Sequence, residues 1–120
     1  MKVVAIVQAR MGSTRLPKKV MKLINGVPMI ELLLARLSRS KKIDKIVLAT
    51  SEDPLNQTLI DHVSGLGFVC EQGSENDVLE RYVDVAEKHA ADIIVRITGD
   101  CPLVDPQLVD ECISRFHEEN

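Results

Sequence analysis

Four cations, Arg10, Arg15, Lys18 and Lys19, fall within ten residues of a 120-residue chain whose formal net charge is -3. They lie in "QARMGSTRLPKK" (8–19), directly behind the apolar run "KVVAIVQA" (2–9). Arginine and lysine gathered in one loop suit a polyphosphate, whose charge they neutralise through charge-assisted hydrogen bonds. A second segment with chemistry is "GDCPLVD" (99–105), which offers Asp100. A carboxylate facing cations suits Mg²⁺ bound to a polyphosphate, because that ion takes one or two protein carboxylates and fills its shell with phosphate oxygens and water. Composition alone equally allows a solvated charged turn; placement behind the first strand is what favours a site. GxxxxGK[ST] is absent, which excludes a Walker loop. GxGxxG is absent too, because Gly12 stands alone, which argues against a dinucleotide fingerprint. Gly12 and Ser13 still allow backbone N–H groups to approach a phosphate.

The elements that must position these residues follow from the apolar pattern. The run 2–9 is β-branched and nearly continuous, as in a parallel strand buried on both faces. "VMKLINGVP" (20–28) carries the turn signal Asn25-Gly26. A helix is expected over 28–40, with Pro28 in its first turn. A strand is expected over 45–50. A helix over 53–67 follows, with Leu55, Leu59, Val63 and Leu66 on one face and a glycine to end it. A short strand over 68–71 leads to a helix over 76–91, whose stripe is Val78, Tyr82 and Ala86 beside Leu79 and Val83. A fourth strand over 92–98 and a last helix over 105–119 complete the chain, with Asp105 as cap and Pro106 at the first helical position. Strictly alternating strands and helices predict a doubly wound, Rossmann-like parallel α/β sheet, ordered about 3-2-1-4. Ligands in such sheets bind beyond the carboxyl ends of the strands where the order reverses. Here that crevice lies between the first and fourth strands, whose loops carry the cations and Asp100.

Composition narrows the class. Hydrophobic residues make up 45% and charged residues 28%, as in an ordinary globular domain. Aromatics are 2%, so an aromatic-stacking nucleic-acid surface is not expected, and the acidic balance argues against a broad basic footprint. No signal peptide is expected, and no apolar run approaches the roughly 20 residues of a membrane span. Cys70, Cys101 and Cys112 are odd in number and lack CxxC spacing, which suits a reducing cytoplasm.

The sequence resembles the cytidylyltransferases that activate acidic sugars, whose pattern is roughly A-R-x-x-S-x-R-L-P-x-K followed by N-G-x-P-M-I. The matching residues are Ala9, Arg10, Ser13, Arg15, Leu16, Pro17, Lys19, Asn25, Gly26, Pro28, Met29 and Ile30. "ATSED" (49–53), "GSENDVLERY" (73–82) and "RITGDCPLVDP" (96–106) match further blocks in order. The resemblance covers essentially the whole chain and is nearest to the spore coat polysaccharide biosynthesis protein F type, related to the acylneuraminate and 3-deoxy-manno-octulosonate enzymes. It implies a fold of the nucleotide-diphospho-sugar transferase type. It implies a triphosphate loop lined by Ala9, Arg10, Gly12 and Ser13. Arg15 and Lys19 would hold the β- and γ-phosphates, and Asp100 would ligate Mg²⁺. Ser51, Ser74 and Arg81 would lie near base or ribose. The implied reaction is attack of a sugar hydroxyl on the α-phosphate of CTP, giving a CMP-sugar and pyrophosphate in surface or spore-coat polysaccharide synthesis. Family members are about twice as long, so residues 1–120 would be the CTP-binding portion without the sugar-binding half.

Other readings stay open at this stage. A related fold could use another nucleoside triphosphate. A shortened copy could bind nucleotide or a partner chain without turnover. Self-association as a homodimer is conceivable through surface left by the absent half. A receiver-like domain is disfavoured, because cations rather than an acidic cluster follow the first strand. Cys101 reads as an apolar filler or a reactive thiol, and Asp105 as a cap or a second metal carboxylate. Arg96 reads as an edge pairing or a phosphate contact. Cys70 and Cys112 are expected in the core, and His62, His89 and His117 at the surface.

Overall fold

The computed structural model describes residues 1–11, 21–74, 77–99 and 105–119. Its centre is β1 (Val3–Gln8), whose first five residues are buried. β1 pairs in parallel with β4 (Lys45–Ser51) on one side and β6 (Ile93–Thr98) on the other. β4 pairs in parallel with β5 (Val69–Gly73), so the sheet runs β5-β4-β1-β6, the expected 3-2-1-4 order. A small ribbon, β2 (Leu23–Ile24) with β3 (Val27–Pro28), precedes the first helix. Asn25 and Gly26 form its turn with φ of 52° and 83°, the left-handed pair that a two-residue hairpin favours.

Helices cover both faces, as a parallel sheet requires. Helix α1 (Met29–Leu37) and helix α2 (Gln57–Gly65) bury Ile30, Leu33, Leu34, Leu37, Leu59 and Val63 on Ala5, Val7 and Leu48. The opposite face packs Val4, Ile6, Val47 and Ala49 against Tyr82 and Val85 of α3 (Val78–Lys88). α4 (Pro106–Glu119) sets Ile113 on Val3 and Ile93. Among the described residues no helix is long and apolar enough to cross a membrane.

Several expectations are corrected in detail. Pro28 stands before α1, with φ -56° and ψ 139°, and pairs with Leu23 in the ribbon. The segment expected to be one helix over 53–67 begins as a 3₁₀ turn, Pro54–Asn56, before α2. That change of pitch throws Leu55 (58% exposed) off the apolar face, while Leu59 and Val63 stay buried. On α3 the buried stripe is Arg81, Tyr82 and Val85; Leu79 is 64% exposed and Val78 and Val83 are exposed too. Cys112 is exposed and Cys70 only partly buried. His89 is not a surface residue: its ring sits beside the Glu71 carboxylate at 3.7 Å, and burial, with Lys45 nearby, pulls its pKa down. Arg96 stacks its guanidinium over the Tyr82 ring, 4.3 Å from the centroid. Asp105 caps α4 by accepting the Gln107 N–H at 2.9 Å.

Asp110 ties α4 to the segment between α1 and β4. Its carboxylate accepts the Lys41 and Lys42 N–H groups at 2.9 and 3.1 Å and the Ser40 hydroxyl. Burial pushes this carboxyl up, but those three donors and the Lys42 charge outweigh it and hold it below the usual carboxylate range. A depressed native pKa means that the stability from Asp110 is present above about pH 4 and is lost as pH falls through the native value. Asp110→Asn is therefore expected to lower the Tm at neutral pH and to flatten the decline of stability below about pH 4 in acid titrations followed by circular dichroism. Thr50 is fully buried in β4, and its hydroxyl has no hydrogen-bond partner among the described residues. Thr50→Val removes that cost at nearly the same shape. It should stabilise the chain by about 1 kcal/mol, roughly 4 °C in Tm for a domain of this size by calorimetry.

Candidate functional site

The carboxyl end of the sheet gathers the predicted residues that the structure describes. Ala9 extends β1 and donates its N–H to the Ala49 carbonyl at 3.2 Å. It is buried, whereas Arg10 beside it is exposed. Ser51 ends β4, and Ser74 follows β5 directly. The Ser74 hydroxyl accepts the Asp77 N–H at 3.1 Å, and Asp77 in turn caps α3 by accepting the Glu80 N–H at 2.9 Å. Ser74 thus organises the entry of α3. Gly12, Ser13, Arg15, Lys19 and Asp100 lie outside the described residues, as does Cys101.

Two close approaches shape this end of the sheet. Gly99 donates its N–H to the Gln8 carbonyl at 2.7 Å, which carries the β1–β6 ladder one step past the strands. A Cβ on Gly99 would stand 2.6 Å from the Ala9 Cβ and 3.0 Å from the Gln8 carbonyl oxygen. Glycine is what lets the exits of β1 and β6 touch. The cation loop and the segment that opens with Asp100 therefore leave from adjacent backbone, as the reversal of strand order requires.

Arg81, expected near a base or ribose, is buried at this end of the sheet. It is 2% exposed, the bulkiest of the fully buried side chains. It rises from α3 past Gly73, where a Cβ would meet the Arg81 Cγ at 2.6 Å. Its guanidinium ends on Gln8, the last residue of β1. With the Gln8 amide turned so that its oxygen faces Arg81, that oxygen accepts from Nη1 at 2.7 Å and Nη2 at 2.8 Å. Arg81 thus bears on the exit of the first strand from inside the fold.

Ser51 is likewise turned inward. It is fully buried, and its hydroxyl accepts from the Asn56 side-chain amide at 2.7 Å. Asn56 in turn accepts the Met11 N–H at 2.8 Å. Sequence reasoning missed Asn56, Gln8, Gly73 and Gly99. The two glycines carried a legible signal, each closing a strand as "QGS" or "TGD". Asn56 carried none, because its partner is 45 residues away. Among the described residues no group of three or more His, Cys, Asp or Glu could hold a metal ion.

A family model described as Cytidylyltransferase matches residues 4–120. The chain is 40% identical over 118 residues to the spore coat polysaccharide biosynthesis protein SpsF of Bacillus subtilis (strain 168), covering 95% of this chain and 49% of that protein. A cytidylyltransferase structure from Leptospira borgpetersenii serovar Hardjo-bovis (strain JB197) superposes with a TM-score of 0.94 at 38% identity, over 98% of this chain and 50% of that one. CMP:2-keto-3-deoxy-manno-octonic acid synthetase, solved in complex with CTP, superposes with a TM-score of 0.85 at 28% identity, over 98% of this chain and 48% of that one. The chain spans about half the length of the curated relatives it matches.

Both close approaches can be tested without a ligand. Gly99→Ala and Gly73→Ala are each expected to cost about 1–3 kcal/mol in urea denaturation, the usual penalty for forcing a methyl into filled space. For Gly73→Ala the loss should shrink when Arg81 is already Ala, because the Cγ that the methyl would strike is then gone.

Proposed function

The chain belongs to the cytidylyltransferase family, and from that premise we propose that it binds CTP with Mg²⁺ at the carboxyl end of its sheet, as the nucleotide-binding portion of an enzyme that transfers CMP to a sugar. The observation that carries this reading is the contact between Gly99 and Gln8. It brings the start of the cation loop and the residue before Asp100 to one point, the crevice where open α/β sheets bind ligands.

The chemistry needs position and charge rather than a covalent nucleophile. A sugar hydroxyl oxygen attacks the α-phosphorus of CTP in line. A bond forms from that oxygen to the α-phosphorus, the bond from the α-phosphorus to the bridging oxygen breaks, pyrophosphate leaves with the electron pair, and the hydroxyl proton passes to water. Arg10 and the backbone of Gly12 and Ser13 line the triphosphate in this proposal, and Arg15 and Lys19 neutralise the charge that grows on the leaving pyrophosphate. In this proposal Asp100 would hold magnesium, an ion that takes one or two protein carboxylates and fills its shell with phosphate oxygens and water. Bound there, the ion would neutralise phosphate charge and orient the chain of phosphates. The sugar is taken to be acidic, by analogy with the synthetase that matches in fold. The free Cys70 and Cys112 support a reducing, cytoplasmic setting.

A second reading is favoured by one observation, the half-length match to relatives. In it this chain binds nucleotide and turns over only with a sugar-binding partner portion. The deciding experiment is a thermal-shift panel of CTP, UTP, GTP and ATP, each with and without Mg²⁺, on the chain and on Asp100→Ala. CTP at 100 times its Kd should add about 2.7 kcal/mol, which is about 10 °C for a domain near this size. Stabilisation by CTP with Mg²⁺, lost in Asp100→Ala, is expected. A shift by none of the four would overturn the proposal, and a shift by another nucleotide alone would overturn its base specificity. Added acidic sugar and release of pyrophosphate then separate a complete enzyme from the binding-only reading.

A further inference from the structure

Asn56 is a buried polar side chain to which neither the sequence motifs nor the proposed chemistry gives a task. It closes the 3₁₀ turn between β4 and α2 and is 1% exposed. All the polar capacity of its amide that matters is used. Oδ1 accepts the Met11 N–H at 2.8 Å, and Nδ2 donates to the Ser51 hydroxyl at 2.7 Å and to the Ser51 carbonyl at 3.2 Å. The partners fix which end is which: Met11 N–H can only donate, and the Ser51 carbonyl can only accept. The turn itself is braced, because the Asn56 N–H donates to the Asp53 carbonyl at 2.9 Å and the Asp53 carboxylate accepts the Leu55 N–H at 2.9 Å.

Met11 is the last described residue before the cation loop. Its side chain is buried in the cluster beneath α1 and α2, and its backbone is held by Asn56. Met11 is therefore anchored through both its backbone and its side chain. The Asn56 side chain also ties it to the end of β4, so the exits of two strands are locked to each other across the cleft end of the sheet. A site whose catalysis rests on charge placed in advance depends on such supports.

We infer that Asn56 is a positioning residue for nucleotide binding, acting through the Met11 amide and Ser51 to set the start of the triphosphate loop. The inference rests on the CTP reading above, and the test separates the two. First, amide exchange is followed by NMR on the unliganded wild-type chain. The Met11 amide should be protected well beyond an open loop amide, and free exchange there overturns the inference. Second, the Kd for CTP with Mg²⁺ is measured by calorimetry at a temperature where each variant is folded by circular dichroism. Asn56→Leu, of similar volume, should raise that Kd by tenfold or more and expose the Met11 amide. A residue needed only for stability would lower the Tm and leave the Kd of the folded protein unchanged, and that result overturns the inference. Should Asn56→Leu fail to fold, Asn56→Ala is read in its place with the same expectations. Wild-type chain that binds no CTP overturns the nucleotide reading itself; wild-type binding with an unchanged variant Kd overturns the role of Asn56 alone.

Discussion

The structure depends on the complete enclosure of β1. Helices α1 and α2 cover one of its faces and α3 the other, and both of its edges are paired, by β4 and β6. A strand held in four directions cannot shift register without turning five buried side chains toward the wrong neighbours. Ala9 continues that enclosure past the strand, with its N–H on the Ala49 carbonyl, and the proposed site takes this end of β1 as its base.

Packing around that base changes character at its carboxyl end. The lower part of the sheet is Val, Ile, Leu and Ala; the upper part buries Thr50, Ser51, Asn56 and Arg81. Buried polar groups normally cost stability unless they are paired. Here the pairs converge on one target. Arg81 reaches Gln8 from the α3 side, and Asn56 reaches Met11 from the α2 side. Residues 8 and 11 bracket Ala9 and Arg10, so the strand's exit is gripped from both faces of the sheet. Local departures from an apolar core at one end of a sheet are what a binding site looks like from beneath.

Much of this was legible in the sequence, for reasons that also mark the limit. The run 3–8 and the alternation of elements set the strand order, because a parallel sheet leaves few right-handed ways to connect. Asp105 before Pro106 announced a helix start and delivered one. Periodicity fails where a helix is short or changes pitch: the spacing of Leu55 fits an apolar face, and the 3₁₀ turn moves it out. It fails on α3 for a different reason. The helix buries an arginine, and no apolar template would place Arg81 inward while leaving Leu79 and Val83 outside. For the site, chemistry-bearing residues were visible because their types are unusual together. Their side-chain supports were not, because Gln8 and Asn56 gain meaning only from partners distant in sequence, Arg81 and Met11.

The half-length match to relatives gives this division a physical sense. Every support described for the β1 exit, from Gly99 and Gly73 to Arg81 and Asn56, comes from within the described residues. None draws on anything beyond Gly99. At β6 the situation reverses. Among the described residues β6 pairs only with β1, and Ile94, Leu108 and Phe116 stay exposed around a groove of about 480 Å³ between β6 and α4. The exit of β1 is thus internally braced, while the β6 edge is apolar and open among the described residues. On the proposed reading a triphosphate would be held where the fold is braced, so its binding would rest on contacts already enclosed within the described residues.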